Sequence, residues 1–555
     1  MRFNHHWLVV LFFLFISWNL VAESRQTAAI VSAHPLATEA GFEILNQGGN
    51  AFDAAVAVSA ALAVVEPAGS GLGGGGFWLL HRASDGYEIM IDGRETAPSA
   101  AHRDMYLNSN GQVNKHLSLD GPLAAAIPGL PAALDHLSLH YGQLPLNKSI
   151  APAIRYASHG FTVNHHYQKL ARFRLDSLRN NLQARAIFLT NGDVPELGRK
   201  IVQTDLANTL TRFSQLGRSG FYQGEIAQRL VDGVTQAGGL WTLQDLKNYR
   251  IKERKPIKGS YQGYTITSAS PPSSGGIVLI SILNQLEHLP YTRADKIQAR
   301  HLIVEAMRRA YFDRSRYLGD DDFVTIPVNK LISKPYARTL ASTINLQHAT
   351  VSHNLTDPFS GKGEDTTHFS IIDKEGNRVA ATLSINYPFG SAFVPAGTGV
   401  LLNDEMDDFS AQAGSANAYG LVGNAANAIE ANKRPLSSMT PTFIENKDRL
   451  MIIGTPGGSR IITMVLLGIL DFITGDDAQT IVSNPRFHHQ YLPDQIQTEA
   501  IGFSNSDLEE LRQRGHKINI LNRQYGNMQI IIQNKKTQQL TAASDPRGEG
   551  LSLVQ

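Results

Sequence analysis

There is no cysteine anywhere in the 555 residues. Disulfide stapling, thiol nucleophiles and thiolate metal sites are therefore excluded, and a chain of this length must be held by its hydrophobic core alone. Net charge is nearly absent too. Fifty basic against 49 acidic residues leaves +1, no reason to expect nucleic acid or an anionic membrane as partner. Neither a solenoid or propeller repeat nor a collagen-like glycine period is present, despite 48 glycines. Long apolar runs are missing with one exception, "WLVVLFFLFISWNLVA" from Trp7 to Ala22, which follows Arg2 and two histidines and precedes small residues around Ala22 and Ser24. A charged start, an apolar stretch and a small-residue exit predict a signal peptide over residues 1–22. A membrane anchor is the alternative, for which the run is short. The expectation is an exported, periplasmic protein with no stable membrane span once the signal is removed; release into the medium is the other possibility.

What is present begins with helices. "HPLATEAGFEILNQGG" predicts a helix with Pro35 in its first turn, stopped by Gly48-Gly49; "AFDAAVAVSAALAVVEP" predicts an Ala-rich buried helix ended by Pro67. "FWLLH" and "YEIMIDG" read as short strands, residues 125–250 as mainly helical. "PPSSGGIVLISILNQLE" and "HLIVEAMRRAYFDRSRYLG" carry helical periodicity. The stretch Asn345–Asp365 is polar and poor in apolar residues, a linker. Beyond it "THFSIIDKEGNRVAATLSIN", "TPTFIENKDRLMIIG" and "NMQIIIQNKKTQQLTAAS" predict hairpins, with one helix, "SRIITMVLLGILDFI", among them. Helices first and strands later predict layered α+β packing rather than a βαβ wind.

Two motifs that look like cofactor or metal sites are better explained otherwise. "GLGGGG" satisfies G-x-G-x-x-G at Gly71, Gly73 and Gly76, but a dinucleotide site needs a strand before it and a helix after it, the reverse of this order. Close backbone packing is the better use of these glycines. His488-His489 and "EMDD" at Glu405–Asp408 are metal-capable, yet neighbours on a strand point to opposite faces. The paired carboxylates suit a cationic amine.

The remaining chemistry lies in "GKGEDTTHFSIID", where the polar linker meets a strand at two threonines with no Ser-His-Asp pattern nearby. A threonine hydroxyl needs a base. When threonine is the first residue of a chain, its own α-amine, near-neutral in pKa, is always within reach. The alternative is two threonines that merely begin a strand.

Together, "AGFEILNQGGNAFDAAVAVSAALAVVEP", "GLGGGGFWLL", "DGRETAP", "PPSSGG", "DTTHFSIIDKEGN", "NDEMDDFS", "NKRPLSSMTPT", "GTPGGSRIIT" and "NPRFHHQ", in that order, resemble the signature blocks of the γ-glutamyltranspeptidase (glutathione hydrolase) family across nearly the whole mature chain. The resemblance implies a four-layer αββα sandwich of the N-terminal-nucleophile hydrolase type. It implies a precursor that cuts itself between Asp365 and Thr366, giving a large subunit (23–365) and a small catalytic subunit (366–555) that remain together as a heterodimer. Thr366 would be the nucleophile and its freed amine the base. Arg94, Ser437 and Ser438 would grip a substrate α-carboxylate, while Asn386, Glu405 and Asp408 hold the α-ammonium. Gly457 and Gly458 would face the oxyanion, and "SAQAGSANAYGLVG" would form a lid gated by Tyr419. The family commonly has Thr-x-Asn where this chain has Ser384-Ile385-Asn386; the hydroxyl survives without the methyl that restricts its rotamer. Pro388 is a further local feature that would shape the pocket rim. Glutathione and other γ-glutamyl compounds would be donors, and water, amino acids or peptides acceptors, with no cofactor because the acyl group travels as an ester. A glutaryl-specific cephalosporin acylase and an unprocessed binding protein are the alternatives.

Overall fold

The computed structural model describes residues 28–352, 366–411, 417–421, 423 and 425–555. The signal segment 1–22, Asp365 and part of the lid sequence lie outside them. The strands that position the site are β1 (Ala29–Ser32), β2 (Gly75–Arg82), β3 (Tyr87–Gly93), β4 (Lys252–Arg254), β5 (Ile257–Tyr261) and β6 (Tyr264–Ser268) before the two threonines. After them come β7 (Thr367–Ile372), β8 (Arg378–Ser384), β9 (Thr442–Glu445), β10 (Arg449–Gly454), β11 (Gln529–Asn534), β12 (Leu540–Ser544) and β13 (Leu551–Val554). They form a seven-stranded sheet, β13-β1-β7-β8-β2-β3-β4, and a six-stranded sheet, β12-β11-β10-β9-β6-β5. Every pairing in both is antiparallel.

The sheets stack because their strands alternate apolar side chains on both faces. Phe77 and Leu79 of β2 join the core shared with Phe443, Met451 and Ile453 of the other sheet. Trp78 and Leu80 point the opposite way, into a second core with the helices α1 (Pro35–Asn46), α2 (Ala51–Val65), α3 (Leu130–His140) and α4 (Leu146–His159). The far face of the six-stranded sheet is covered by α5 (Gly275–Glu287), α6 (Lys296–Tyr317) and α7 (Ile461–Thr474). The result is helix, sheet, sheet, helix. Each fully buried large side chain contributes about 1.5–3 kcal/mol, and with no cross-links these two cores hold the chain.

The expected order of helices first and strands later holds only in part. Both sheets mix strands from either side of Thr366, and β1 pairs with β13 at the far end of the chain. Two further helices, α8 (Ala478–Ser483) and α9 (Asn505–Gln513), accompany α7 between the last two expected hairpins. They are short, and their apolar faces are only a few residues wide, so periodicity is weak there.

Helix α2 carries the site's floor. All fifteen of its residues are buried, which explains the alanines: only small side chains fit between close-packed neighbours. Asn50 and Asp53 form a capping box at its start, and Ala51 N donates to Asp373 Oδ2 at 2.8 Å, tying the helix to the β7–β8 hairpin. Its C-terminal end delivers Glu66. The glycine run follows, leading into β2 rather than a helix. A Cβ on Gly73 would stand 2.2 Å from Leu401 O, and one on Gly74 2.2 Å from Ser384 O. These glycines exist for backbone approach.

Candidate active site

Thr366 immediately precedes β7 and is buried. Leu383 of β8 pairs with Thr367, so continuing the register sets Ser384 opposite Thr366 with its side chain on the same face. Both hydroxyls therefore open toward the gap between the sheets. His368, two residues on, is not a base. Its Nδ1 meets Thr382 Oγ1 at 2.9 Å and its Nε2 meets Ser370 Oγ at 3.3 Å, and burial pushes the imidazole down to about 3.

A small pocket brings together Arg94, Thr366, Ser384, Asn386, Asp408, Tyr419, Ser437, Ser438 and Gly458, residues drawn from distant stretches of the chain. Nine of the residues anticipated from sequence thus share one wall. Glu405 stands just behind it, reached through Arg94, and Gly457 faces the adjoining larger cleft of about 430 Å³, whose lining includes Pro388. Thr366 and Tyr419 border both spaces.

The charged centre is Arg94, 1% exposed at the end of β3. Its Nη1 donates to Glu405 Oε2 at 2.5 Å, its Nη2 to Asp408 Oδ2 at 2.6 Å and its Nε to Pro435 O at 3.2 Å. Burial disfavours the charged guanidinium, but Glu405, Asp408 and Glu95 outweigh it and keep Arg94 ionised. Burial likewise pushes Glu405 up to about 7 against the pull of Arg94. Glu405 Oε1 has no hydrogen-bond partner. Glu95, with neither oxygen partnered, is raised well above the usual carboxylate range by burial and by Glu405. One guanidinium and paired acids meeting at a buried pocket wall can receive a zwitterion: a ligand carboxylate can take the guanidinium while a ligand ammonium takes the acids.

The other anticipated residues are held in place by their own loops. Asn386, with φ of 71°, donates from Nδ2 to Asp404 O at 3.0 Å, and its backbone N–H donates to Ser384 Oγ at 2.7 Å. Tyr419 OH donates to Asn386 O at 2.6 Å. The turn carrying Tyr419 is anchored on the acidic segment, with Asn417 Nδ2 donating to Asp408 Oδ1 at 2.9 Å and Ala418 N to Asp407 Oδ2 at 2.7 Å. Gly457 and Gly458, with φ of 141° and 55°, lie between β10 and α7; a Cβ on Gly458 would collide with the Tyr419 ring at 2.2 Å. The two histidines at 488 and 489 are engaged separately. His488 meets Thr463 Oγ1 and Gln490 Oε1, whereas His489 meets Asp494 Oδ1 and the backbone of Tyr491.

Two residues at the site were not anticipated. Arg314 of α6 donates from Nε to Ser274 Oγ at 2.9 Å and from Nη2 to Ser438 Oγ at 3.2 Å, placing positive charge behind the serine pair. Burial pulls it down to about 10, still ionised at neutral pH. The signal was available: Arg314 follows Ile303, Ala306, Met307, Ala310 and Tyr311 on the buried face of its helix, where a lone arginine is out of place. Glu66 is the other, and nothing local marks it.

The chain matches the family model described as Gamma-glutamyltranspeptidase over residues 37–554. It is 42% identical over 498 residues to a "Glutathione hydrolase proenzyme" of Pseudomonas sp. (strain A14), covering 89% of this chain and 86% of that protein. It is likewise 42% identical over 527 residues to the protein of the same name from Escherichia coli (strain K12), covering 93% and 90%. Among solved structures, the cephalosporin acylase from Bacillus halodurans superposes with a TM-score of 0.84 at 27% identity, over 95% of this chain and 96% of that one.

Proposed function

Because this chain belongs to the γ-glutamyltranspeptidase family, we propose that it is an exported γ-glutamyl hydrolase and transferase that cuts itself before Thr366 and then acts through that residue. The observation that carries the reading is the placement of Arg94 and Asp408, with Glu405 on Arg94 just behind them, in the same pocket as a hydroxyl at the very start of a strand. In the continuous chain Thr366 N is an amide; after cleavage it is an amine next to its own Oγ. The relatives' designation as proenzymes supports such a maturation step. Residues 23–365 and 366–555 would then remain associated, because both sheets contain strands from each.

In the reaction, a γ-glutamyl donor places its α-carboxylate on Arg94 and the Ser437 and Ser438 hydroxyls, and its α-ammonium on Glu405, Asp408 and Asn386. Fixing both ends of the amino acid leaves the γ-carbonyl at Thr366. The amine takes the hydroxyl proton, Oγ adds to the carbonyl carbon, and the oxyanion turns to the Gly457 and Gly458 N–H groups. Such preorganised donors are worth about 3–4 kcal/mol of barrier each. The protonated amine then passes its proton to the departing nitrogen. The resulting ester is opened by water or by an amine entering from the larger cleft. Glutathione, γ-glutamyl compounds generally, amino acids and short peptides fit this scheme without a cofactor. Among the described residues, no helix is long and apolar enough to cross a membrane.

The likeness to a cephalosporin acylase makes donor choice the decisive test. A glutaryl group has the chain length of γ-glutamyl but no ammonium, so it would leave Glu405 and Asp408 facing an apolar methylene. We expect the γ-glutamyl anilide to be hydrolysed at least about 100-fold faster than the glutaryl anilide, the scale set by losing one charge-assisted contact. Equal rates on the two anilides would reverse the assignment.

A pH effect on binding follows from Glu405. Its carboxyl, raised to about 7 by burial, is largely neutral below that pH and ionised above it. Only the ionised form attracts an ammonium. KM for a γ-glutamyl donor should therefore fall about tenfold between roughly pH 6 and 8. Initial-rate measurements across that range check it, and a flat KM would count against Glu405 as an ammonium ligand.

A further inference from the structure

Glu66 takes no part in gripping an α-amino acid, yet its carboxyl is buried beside the reactive end of the chain. It is the residue on which α2 ends, 8% exposed. A methyl group at Gly69 would lie 3.4 Å from Thr366 O and 3.5 Å from both Cδ and Oε1 of Glu66, so the carboxyl and the Thr366 backbone flank one point. Both residues line the same cleft. Glu66 Oε2 has no hydrogen-bond partner. Burial pushes the carboxyl up to about 7, with the Thr367 hydroxyl working the other way. The charged or titratable groups that share the cleft are His166, Lys169, Tyr419, Arg460, Arg523, Tyr525 and Arg547. His166 is kept neutral near pH 7 by burial. A buried carboxyl with an unused oxygen is costly unless something cationic or hydrogen-bonding meets it.

Cleavage before Thr366 creates such a group. The new α-amine appears at Thr366, a buried residue whose backbone borders the same point as the Glu66 carboxyl. We propose that Glu66 receives the α-amine of Thr366 after cleavage, holding the nitrogen beside the hydroxyl and stabilising the positive charge it acquires during attack. The inference rests on the reading of Thr366 as a self-released nucleophile. The proton of Thr366 Oγ moves to the amine as the Oγ–carbon bond forms and the carbonyl electrons move to oxygen. It returns to the leaving nitrogen as the carbon–nitrogen bond breaks. Glu66 exchanges no proton in these steps; in its ionised form it holds the amine and stabilises its charge, as a carboxylate does behind the imidazole of a serine hydrolase. An adjacent anion raises an amine's pKa. Removing the anion weakens the base and lets it lose its proton at lower pH.

The test is the pH dependence of kcat/KM for a γ-glutamyl anilide in the parent, Glu66→Gln and Glu66→Asp, each checked for cleavage on a denaturing gel. In Glu66→Gln we expect kcat to fall about tenfold or more, KM to stay within about twofold, and the acidic limb to move down by about one pH unit, which corresponds to that tenfold. Glu66→Asp, with the charge set back by one methylene, should fall between the two. A role in packing alone would lower thermal stability without moving the limb. If Glu66→Gln stays uncut, the titration is read on Glu66→Asp, whose limb must lie below the parent's. An unmoved limb in the processed variants overturns the role of Glu66 and leaves Thr366 as nucleophile untouched. A parent that never yields a chain starting at Thr366 overturns both.

Discussion

Thr366→Ala runs as one uncut chain on a denaturing gel, whereas the parent separates into two, the smaller beginning Thr-Thr-His-Phe-Ser. Hydrolysis of a γ-glutamyl anilide falls by at least about 10⁴-fold, the scale seen when a covalent nucleophile is removed. The size of the effect follows from what surrounds the position. Ser384 stands opposite Thr366, but mid-chain it can never own an α-amine, and its Oγ already accepts from Asn386 N. His368 is neutral and occupied at both ring nitrogens. No neighbouring group can therefore substitute. The fold should survive, because alanine retains Cβ and the strand's pairings begin at Thr367. Thermal unfolding within a few degrees of the parent, together with loss of both cleavage and activity, is the expected outcome; cleavage or full activity in the variant would remove Thr366 from its role.

Arg94→Ala is expected to cost both stability and activity. The side chain is 1% exposed, with Glu405 and Asp408 on its two terminal nitrogens and Glu95 Oε2 3.7 Å from Nη1. Deleting it leaves buried acidic groups facing one another, and breaking a buried pair from one side typically costs about 3–5 kcal/mol. Denaturant unfolding should show the loss. It should be smaller at pH 5 than at pH 8, because the raised Glu405 carboxyl takes up a proton as pH falls and escapes the repulsion. In catalysis the same change removes the fork for the donor carboxylate, and kcat/KM should drop about 100- to 1000-fold, chiefly through KM. A variant with parental KM would place the donor carboxylate elsewhere.

Much of this protein is readable from its sequence for reasons that are local. The first two helices end at glycine pairs or proline and start at capping residues, so Pro35–Asn46 and Ala51–Val65 fall where the pattern sets them. The hairpin after Thr366 declares itself through continuous β-branched and apolar residues around a Gly-containing turn, and the boundary between polar linker and strand draws attention to the two threonines. The absence of cysteine and the balanced charge narrow the chemistry before any motif is read. The blocks around Arg94, Glu405–Asp408, Ser437-Ser438 and Gly457-Gly458 are each weak alone and become specific through their shared order along the chain.

What those blocks do together was decided only by the tertiary structure. Arg94 and Glu405 are 311 residues apart, and no periodicity encodes that they meet. The strands Ala29–Ser32 and Leu551–Val554 are four residues long, too short to show alternation, and are stabilised by partners at distant points of the chain. Arg314 reaches the Ser438 hydroxyl from a helix packed on the one that covers the six-stranded sheet, and Glu66 comes to line the same cleft as Thr366 because a wholly buried helix ends there. The raised carboxyls of Glu66, Glu95 and Glu405 have the same origin. Residue type determines that a side chain can carry a proton; burial, which belongs to the packed molecule, determines at what pH it does so.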